Sequence, residues 1–558
     1  MGELGEQYFD LGSYHRPIET SSGQAQVWFD RGLVWAYAFN HEEAIRCFER
    51  ALEFDPDLAI ARWGIAYSVG PNYNKAWEAF DPVDLTSSLT RARTELQRAG
   101  QGRAGPVEQG LIAALQARFP TDDAEDAEAL RSGMAAYADA MAALAVAYPS
   151  DVDVQALTAD ALVNVTAWAL WDTSTGDPAA GSRVVEAKRI LEDALATAAG
   201  REHPGILHLY LHTMEMSAAP EDALPAADLL RDLVPDAGHL QHMPSHIDVL
   251  CGDYRSSVIA NYAAVQADRR FVSREGPLNF YSLYRAHDLH FIVYSAMFEG
   301  QSQVAFQAAD ELAGQLTAEL LSIESPPMAD WLEAFVPLRT HVLVRFGRWD
   351  ELIAQPLPDD RDLYCATATT IHYGRGIALA ATGQLARARA ERAAFAQAYD
   401  RIPASRYLFN NTSRDILAVA AELLDGEIAY REGYFDEAFS YLRGAVELDD
   451  ALPYDEPWGW MQPARHAYGA LLLEQGHVED AAAVYAADLG LDHTLARCCQ
   501  HPGNVWSLHG YHECLQRLGR GAEAAIIGQQ VALASARADV PIRASCACRL
   551  DATPCCEE

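Results

Sequence analysis

Between residues 25 and 58 large and small apolar side chains fall at helical spacing. Trp28, Gly32 and Trp35 make one stripe, and Ala44, Phe48 and Ala51 make a second with the same spacing. Residues at i, i+4 and i+7 share one helical face. The polar run Asn40-His41-Glu42-Glu43 separates the stripes, and Pro56 closes the unit. The pattern predicts a helix pair in which small residues let the helices approach and large ones fill the groove against the next pair. The register recurs. Gly376, Gly383 and Ala388 mark one unit, Gly426, Gly433, Ala438, Leu442 and Ala445 another, and Gly469, Leu472, Gly476, Ala481 and Tyr485 the next. Ala223, Ala227, Leu230 and Pro235 mark a further one, and Gly252 and Gly300 stand where a first helix turns into a second.

Residues 25–58 resemble the tetratricopeptide repeat, with its seven signature positions in place. That resemblance implies an all-α, right-handed tetratricopeptide-repeat α-solenoid, a continuous superhelix without a separate catalytic domain. The expected organisation is an N-terminal segment 1–24, N-terminal repeats 25–84, degenerate helical repeats 85–200, histidine-rich repeats 201–312, C-terminal repeats 313–540 and a Cys-rich tail 541–558. Residues 118–126 and 173–182 read as loops. The tail from Ser545 is short and polar and reads as disordered.

Composition agrees with helix: half of the 558 residues are hydrophobic and alanine is abundant. The formal net charge of -37 excludes nucleic-acid and anionic-membrane partners, since no basic patch is present to neutralise phosphate. No targeting or spanning segment is seen, so a cytoplasmic place is the default, and the ten cysteines are expected as thiols. Phosphate-binding glycine loops and a Gly-x-Ser-x-Gly elbow are absent.

The histidines change the picture. Of 18, eight fall between 203 and 290, in three segments. His208 and His212 are four apart, with Glu215 three further on; His239, His242 and His246 follow at i, i+3 and i+7; His287 and His290 stand at i, i+3. Each set shares one helical face. Repeats counted from 204, 238 and 286 put these residues at positions 2, 5, 9 and 12, which line the concave groove of tetratricopeptide repeats. Tyr294 takes position 9 of the third. Packed helices lie about 8–10 Å apart, so imidazoles of neighbouring repeats can meet. A lone histidine is usually a core or surface residue, but this set argues for a metal site. A histidine-lined pocket for an anion or peptide is the alternative.

Neutral imidazole suits copper, zinc, iron and nickel. The ligand candidates are His208, His212, Glu215, His239, His242, His246, His287 and His290, too many for one ion. The His-x-x-x-His pairs His208/His212 and His242/His246 resemble, in ligand spacing alone, the helical pairs of binuclear copper proteins of the tyrosinase and haemocyanin type. Carboxylate-bridged di-iron sites use Glu-x-x-His pairs, which these segments lack. Copper is therefore the leading cofactor, with zinc or iron as alternatives. Asp236, Asp248, Asp288, Tyr210, Tyr281 and Tyr284 are candidates to surround the site. The leading expectation is a metal-dependent oxidoreductase in which copper and dioxygen oxidise a small-molecule substrate, with Glu215 and Tyr294 as candidate catalytic residues. The alternatives are a zinc hydrolase using Glu215 or Asp288 as base, and a repeat scaffold or metal store that takes a protein partner.

Weaker signals are His41, read as a cap or surface residue, and His341, at position 9 of its repeat. The groups Cys498-Cys499-Gln500-His501 and Cys546-Ala547-Cys548 do not make a closed zinc pattern. The stretch Gly238-His239-Leu240-Gln241-His242-Met243-Pro244-Ser245-His246-Ile247 resembles a group of bacterial tetratricopeptide-repeat proteins with a Gly-His-x-x-His-Met-Pro-Ser-His-Ile signature. So do Phe39-Asn40-His41-Glu42-Glu43-Ala44 and the segment from Trp63 to Asn72. The resemblance implies the fold and treats His239, His242 and His246 as one unit. No established activity comes with it.

Overall fold

The computed structural model describes residues 8–550. Residues 1–7 and 551–558 lie outside that range, and with them part of the N-terminal segment and the tail residues Cys555 and Cys556. Regular structure among the described residues is helical, apart from the two-residue strands Tyr407–Leu408 and Asn411–Thr412, which pair antiparallel. The fold class is the all-α tetratricopeptide-type solenoid.

The first helix pair shows how the sequence produces this. Helix Gly23–Tyr37 starts where the Ser22 side chain accepts from the Ala25 amide, and helix His41–Phe54 where Asn40 accepts from Glu43. Both caps satisfy an amide that has no partner within its helix. Phe48, fully buried, then meets two glycines. A Cβ on Gly32 would stand 2.5 Å from its ring, and one on Gly64, in helix Ala59–Ser68, 2.7 Å away. Three helices thus close on one aromatic side chain, and only glycine fits at the two facing positions. The device repeats in the C-terminal half: Cβ atoms on Gly469 and Gly510 would stand 2.6 and 2.4 Å from the Tyr485 ring. The stretch between 85 and 200 is also helical, including Pro106–Gln116, Ala127–Ala147, Val152–Val163 and Val184–Leu195.

The chain divides into two compact units. The first is Met1–Ile247 with Ala263–Tyr284, the second Asp248–Tyr262 with Arg285–Glu558. Stacked repeats touch only their neighbours, whereas each unit here also joins distant segments. In the first, the Asp10 amide donates to Asp236 at 2.6 Å. In the second, Trp506 Nε1 donates to the Met297 carbonyl at 2.7 Å.

The tail corrects two expectations. Ser545 is 1% exposed; its hydroxyl donates to the His466 carbonyl at 2.8 Å, and its carbonyl accepts from Arg345 at 2.9 Å. The described part of the tail is thus docked on the second unit, because its backbone supplies acceptors that buried donors there require. Cys546 and Cys548 form a disulfide, their Cα atoms 5.1 Å apart, within bridging range. No helix among the described residues is long and apolar enough to cross a membrane.

Replacing Phe48 by Ala opens a cavity where three helices meet and should cost about 3–5 kcal/mol. Denaturant unfolding should show the loss as a lower midpoint. An unchanged midpoint would mean that this ring does not hold the first repeats together.

Candidate metal centre

Helix Pro204–Glu215 carries the first set of histidines. Pro204 opens it, and His203 caps it by accepting from the Ile206 amide at 3.2 Å. His208, His212 and Glu215 lie on one face, as their spacing demands, and none is exposed to solvent. The second set departs from the expected single helix. His239 and His242 lie on helix Gly238–His242, and His246 on Pro244–Leu250. Pro244 lacks an amide hydrogen and its ring crowds the preceding turn, which splits the helix there. All three imidazoles are nonetheless at most 1% exposed.

These five imidazoles and one carboxylate form a network in the first unit. Glu215 engages two rings: Oε1 lies 2.9 Å from His212 Nδ1, and Oε2 2.7 Å from His246 Nδ1. His208 Nδ1 lies 2.6 Å from the carbonyl oxygen of Tyr37, the last residue of helix Gly23–Tyr37. A carbonyl at a helix end has no partner within the helix and is free to accept. Three histidines are therefore held as Nδ1–H tautomers, and their Nε2 lone pairs point the other way. His208 Nε2 faces His239 Nε2 at 3.1 Å, and His242 Nε2 faces His246 Nε2 at 2.8 Å. Two imidazoles on one ion at about 2.0–2.1 Å place their nitrogens about 3.3 Å apart in a tetrahedral site. The buried Nε2 of His212 and Nδ1 of His239 have no hydrogen-bond partner. His208, His212 and His239 each bring a donor atom within 4.8 Å of the others, as do His212, Glu215 and His246.

The electrostatics favour neutral rings. Burial pushes the His212 and His246 imidazoles down to about 3, and His208 and His239 well below the ordinary range. Burial also raises the Glu215 carboxyl, which His246 opposes. A fully buried carboxylate whose partners are two neutral N–H groups leaves a negative charge uncompensated, an expensive arrangement. A cation on the imidazoles would compensate it.

Aromatic rings wall the network, and the sequence pattern did not mark them. The Phe39 ring centroid is 4.5 Å from that of His208 and 5.5 Å from that of His239; Tyr73 and Trp168 lie 4.7 and 6.1 Å from His212. Phe39 and Trp168 have φ of 55° and 58°. A bulky residue in the left-handed region costs about 1–3 kcal/mol, and such residues gather at functional sites. Phe39 opens one of the stretches that carry the bacterial resemblance, with no role assigned to it there; nothing in the sequence singled out Trp168.

His287 and His290 share helix Ser282–Glu299 with Asp288 and Tyr294, all in the second unit. Tyr294 packs on Phe298 with centroids 4.5 Å apart. Asp236 binds the Asp10 amide and Arg270, and Tyr210 donates to Glu192 at 3.3 Å. Tyr281 and Tyr284 do reach the network: the Tyr281 hydroxyl accepts from the His239 amide at 3.1 Å, and the Tyr284 ring is 4.8 Å from His239. His41 opens its helix, with its Nε2 buried. His501 Nδ1 is 2.9 Å from Asp488, which accounts for it without a metal.

Residues 25–58 match the tetratricopeptide-repeat family model. The chain carries this repeat and the fold class built from it. No curated protein matches the sequence. Among solved structures, that of Naa15/Naa10 bound to HypK-THB is 15% identical, covering 91% of this chain and 70% of that one, with a TM-score of 0.20. The yeast Tom70 is 10% identical, covering 91% and 90%, with a TM-score of 0.28. Scores this low carry no argument about function.

Acid should destabilise the metal-free protein. Histidines titrate near 6.5 when unfolded, while His212 and His246 hold out to about 3 when folded. Between those values the unfolded state binds more protons, so stability is full above pH 6.5 and falls as pH drops. Each such histidine costs about 1.4 kcal/mol per pH unit below 6.5. The raised Glu215 carboxyl works in the opposite sense, as one group against several. The melting temperature should fall steadily from pH 7 to 5, and a flat profile would show that the rings are not buried neutral.

Proposed function

We propose that this chain is a metalloprotein whose centre is the histidine network of the first unit. The observation that carries the reading is Glu215, wholly buried, holding two imidazoles by Nδ1 so that the Nε2 of His246 faces that of His242 and the Nε2 of His212 is left without a hydrogen-bond partner. Carboxylates orient metal-binding histidines in this way, fixing the tautomer and raising ligand basicity. In this arrangement Glu215 positions ligands, since both of its oxygens are engaged.

The donor set supports copper. It is all imidazole, with two facing Nε2 pairs, His208/His239 and His242/His246, and His212 among them. A carboxylate-bridged di-iron centre needs its acid on the metal side, whereas Glu215 stands behind the rings. Burial at 1% or less suits a reactant as small as dioxygen. The reading is of a pair of copper ions that pass electrons from a small-molecule substrate to dioxygen. A zinc site, structural or hydrolytic, is the alternative that neutral imidazole equally allows. The repeat match at 25–58 favours a protein partner on the outer helices as a second role.

Elemental analysis of untagged protein tests the centre. Roughly two copper ions per chain are expected, as in two-metal sites, with loss of metal in a His242→Ala/His246→Ala variant that keeps its helical signal. Zinc in their place would turn the reading to hydrolysis or structure, and no metal after reconstitution would leave a binding scaffold. Separately, Glu215→Gln should weaken metal affinity about 10- to 100-fold while the protein stays folded. Unchanged affinity would remove Glu215 from the centre.

A further inference from the structure

The second unit holds a histidine that the centre above does not use. His290 is wholly buried, and its Nε2 lies 2.9 Å from the Met461 sulfur, itself 1% exposed. On the other side of the ring, Nδ1 has no hydrogen-bond partner. The rings of Phe335 and Phe409 stand 5.2 and 6.4 Å away, so the wall there is apolar. Both tautomers are poor in this setting. With the proton on Nε2, the ring makes only a weak N–H···S bond and leaves the Nδ1 lone pair bare. With the proton on Nδ1, nitrogen and sulfur lone pairs face each other.

A second imidazole reaches the same segment. His341 is 6% exposed, and its buried Nδ1 also has no partner. Its carbonyl accepts from Gln462 at 2.7 Å, and its ring lies 4.9 Å from that of Trp460. The residues on either side of Met461 thus hold His341 in place. Trp460 Nε1 is another buried donor without a partner.

We propose that His290, Met461 and His341 form a soft-metal site that takes Cu(I). A thioether with imidazoles is a donor set that selects Cu(I) over hard cations. An ion between Nε2 and the sulfur uses the facing lone pairs and leaves Nδ1 of His290 to carry the ring proton. Binding moves no electrons, since copper enters and stays as Cu(I). The site stands whether or not the first unit holds metal.

The test uses the full chain, labelled with selenomethionine and loaded anaerobically with Cu(I). Absorption at the copper edge should show a selenium neighbour, which only methionine ligation can supply. Met461→Leu, a volume-conserving exchange, should abolish that signal and remove one equivalent of Cu(I) in titration against a chromogenic chelator. His341→Gln should weaken the same equivalent. Absence of selenium scattering in the unsubstituted protein would overturn the proposal, whatever the variants do. So would a folded Met461→Leu protein that keeps its full copper content, which would reduce the His290–Met461 contact to packing. Copper bound only through nitrogen would support the first-unit centre and contradict this site.

Discussion

Glu215 accepts from imidazoles on two different helices while wholly buried. A carboxylate in that position survives only if its donors are well placed and its charge is answered nearby. The donors are fixed by the helix Pro204–Glu215 and by the turn at Pro244, which brings His246 across to it. A cation on the opposite nitrogens would answer the charge. Removing the acid would free the His212 and His246 rings to rotate, and the facing His242/His246 pair would lose its orientation. The other facing pair, His208/His239, is held from the Tyr37 carbonyl instead.

The repeat architecture was legible because it is written in side-chain size. Gly32, Phe48 and Gly64 make one close packing, and Gly469, Tyr485 and Gly510 another. Such contacts are local in the sequence, so spacing alone exposes them. The shared face of His208, His212 and Glu215 was legible for the same reason. What spacing could not reveal comes from distant parts of the chain. Phe39, Tyr73 and Trp168 wall the network from up to 173 residues before His212, and two of them depend on left-handed backbone. The division into two units also rests on distant contacts, such as Trp506 to Met297. The contact between His290 and Met461 spans 171 residues. Pro244 could have been read as a helix break, since proline inside a helical pattern usually is one.

Burial and strain act together in the first unit. Low exposure keeps the rings neutral, which is the form that binds metal, and excludes water that would compete for their lone pairs. The left-handed Phe39 and Trp168 are tolerated because surrounding packing holds them there. A helical-repeat fold suits such a site. Each helix contributes one face, and the same small-residue packing that stacks the helices brings their histidines within reach.

The most direct measurement is an anomalous difference map from crystals of the purified protein, collected at the absorption edge of the metal it carries. The account predicts density within about 2.0–2.1 Å of the Nε2 atoms of the facing pairs His208/His239 and His242/His246, with Glu215 behind His246 and outside the coordination shell. A metal-replete crystal with no density among these histidines, or with Glu215 turned onto the ion, would contradict it.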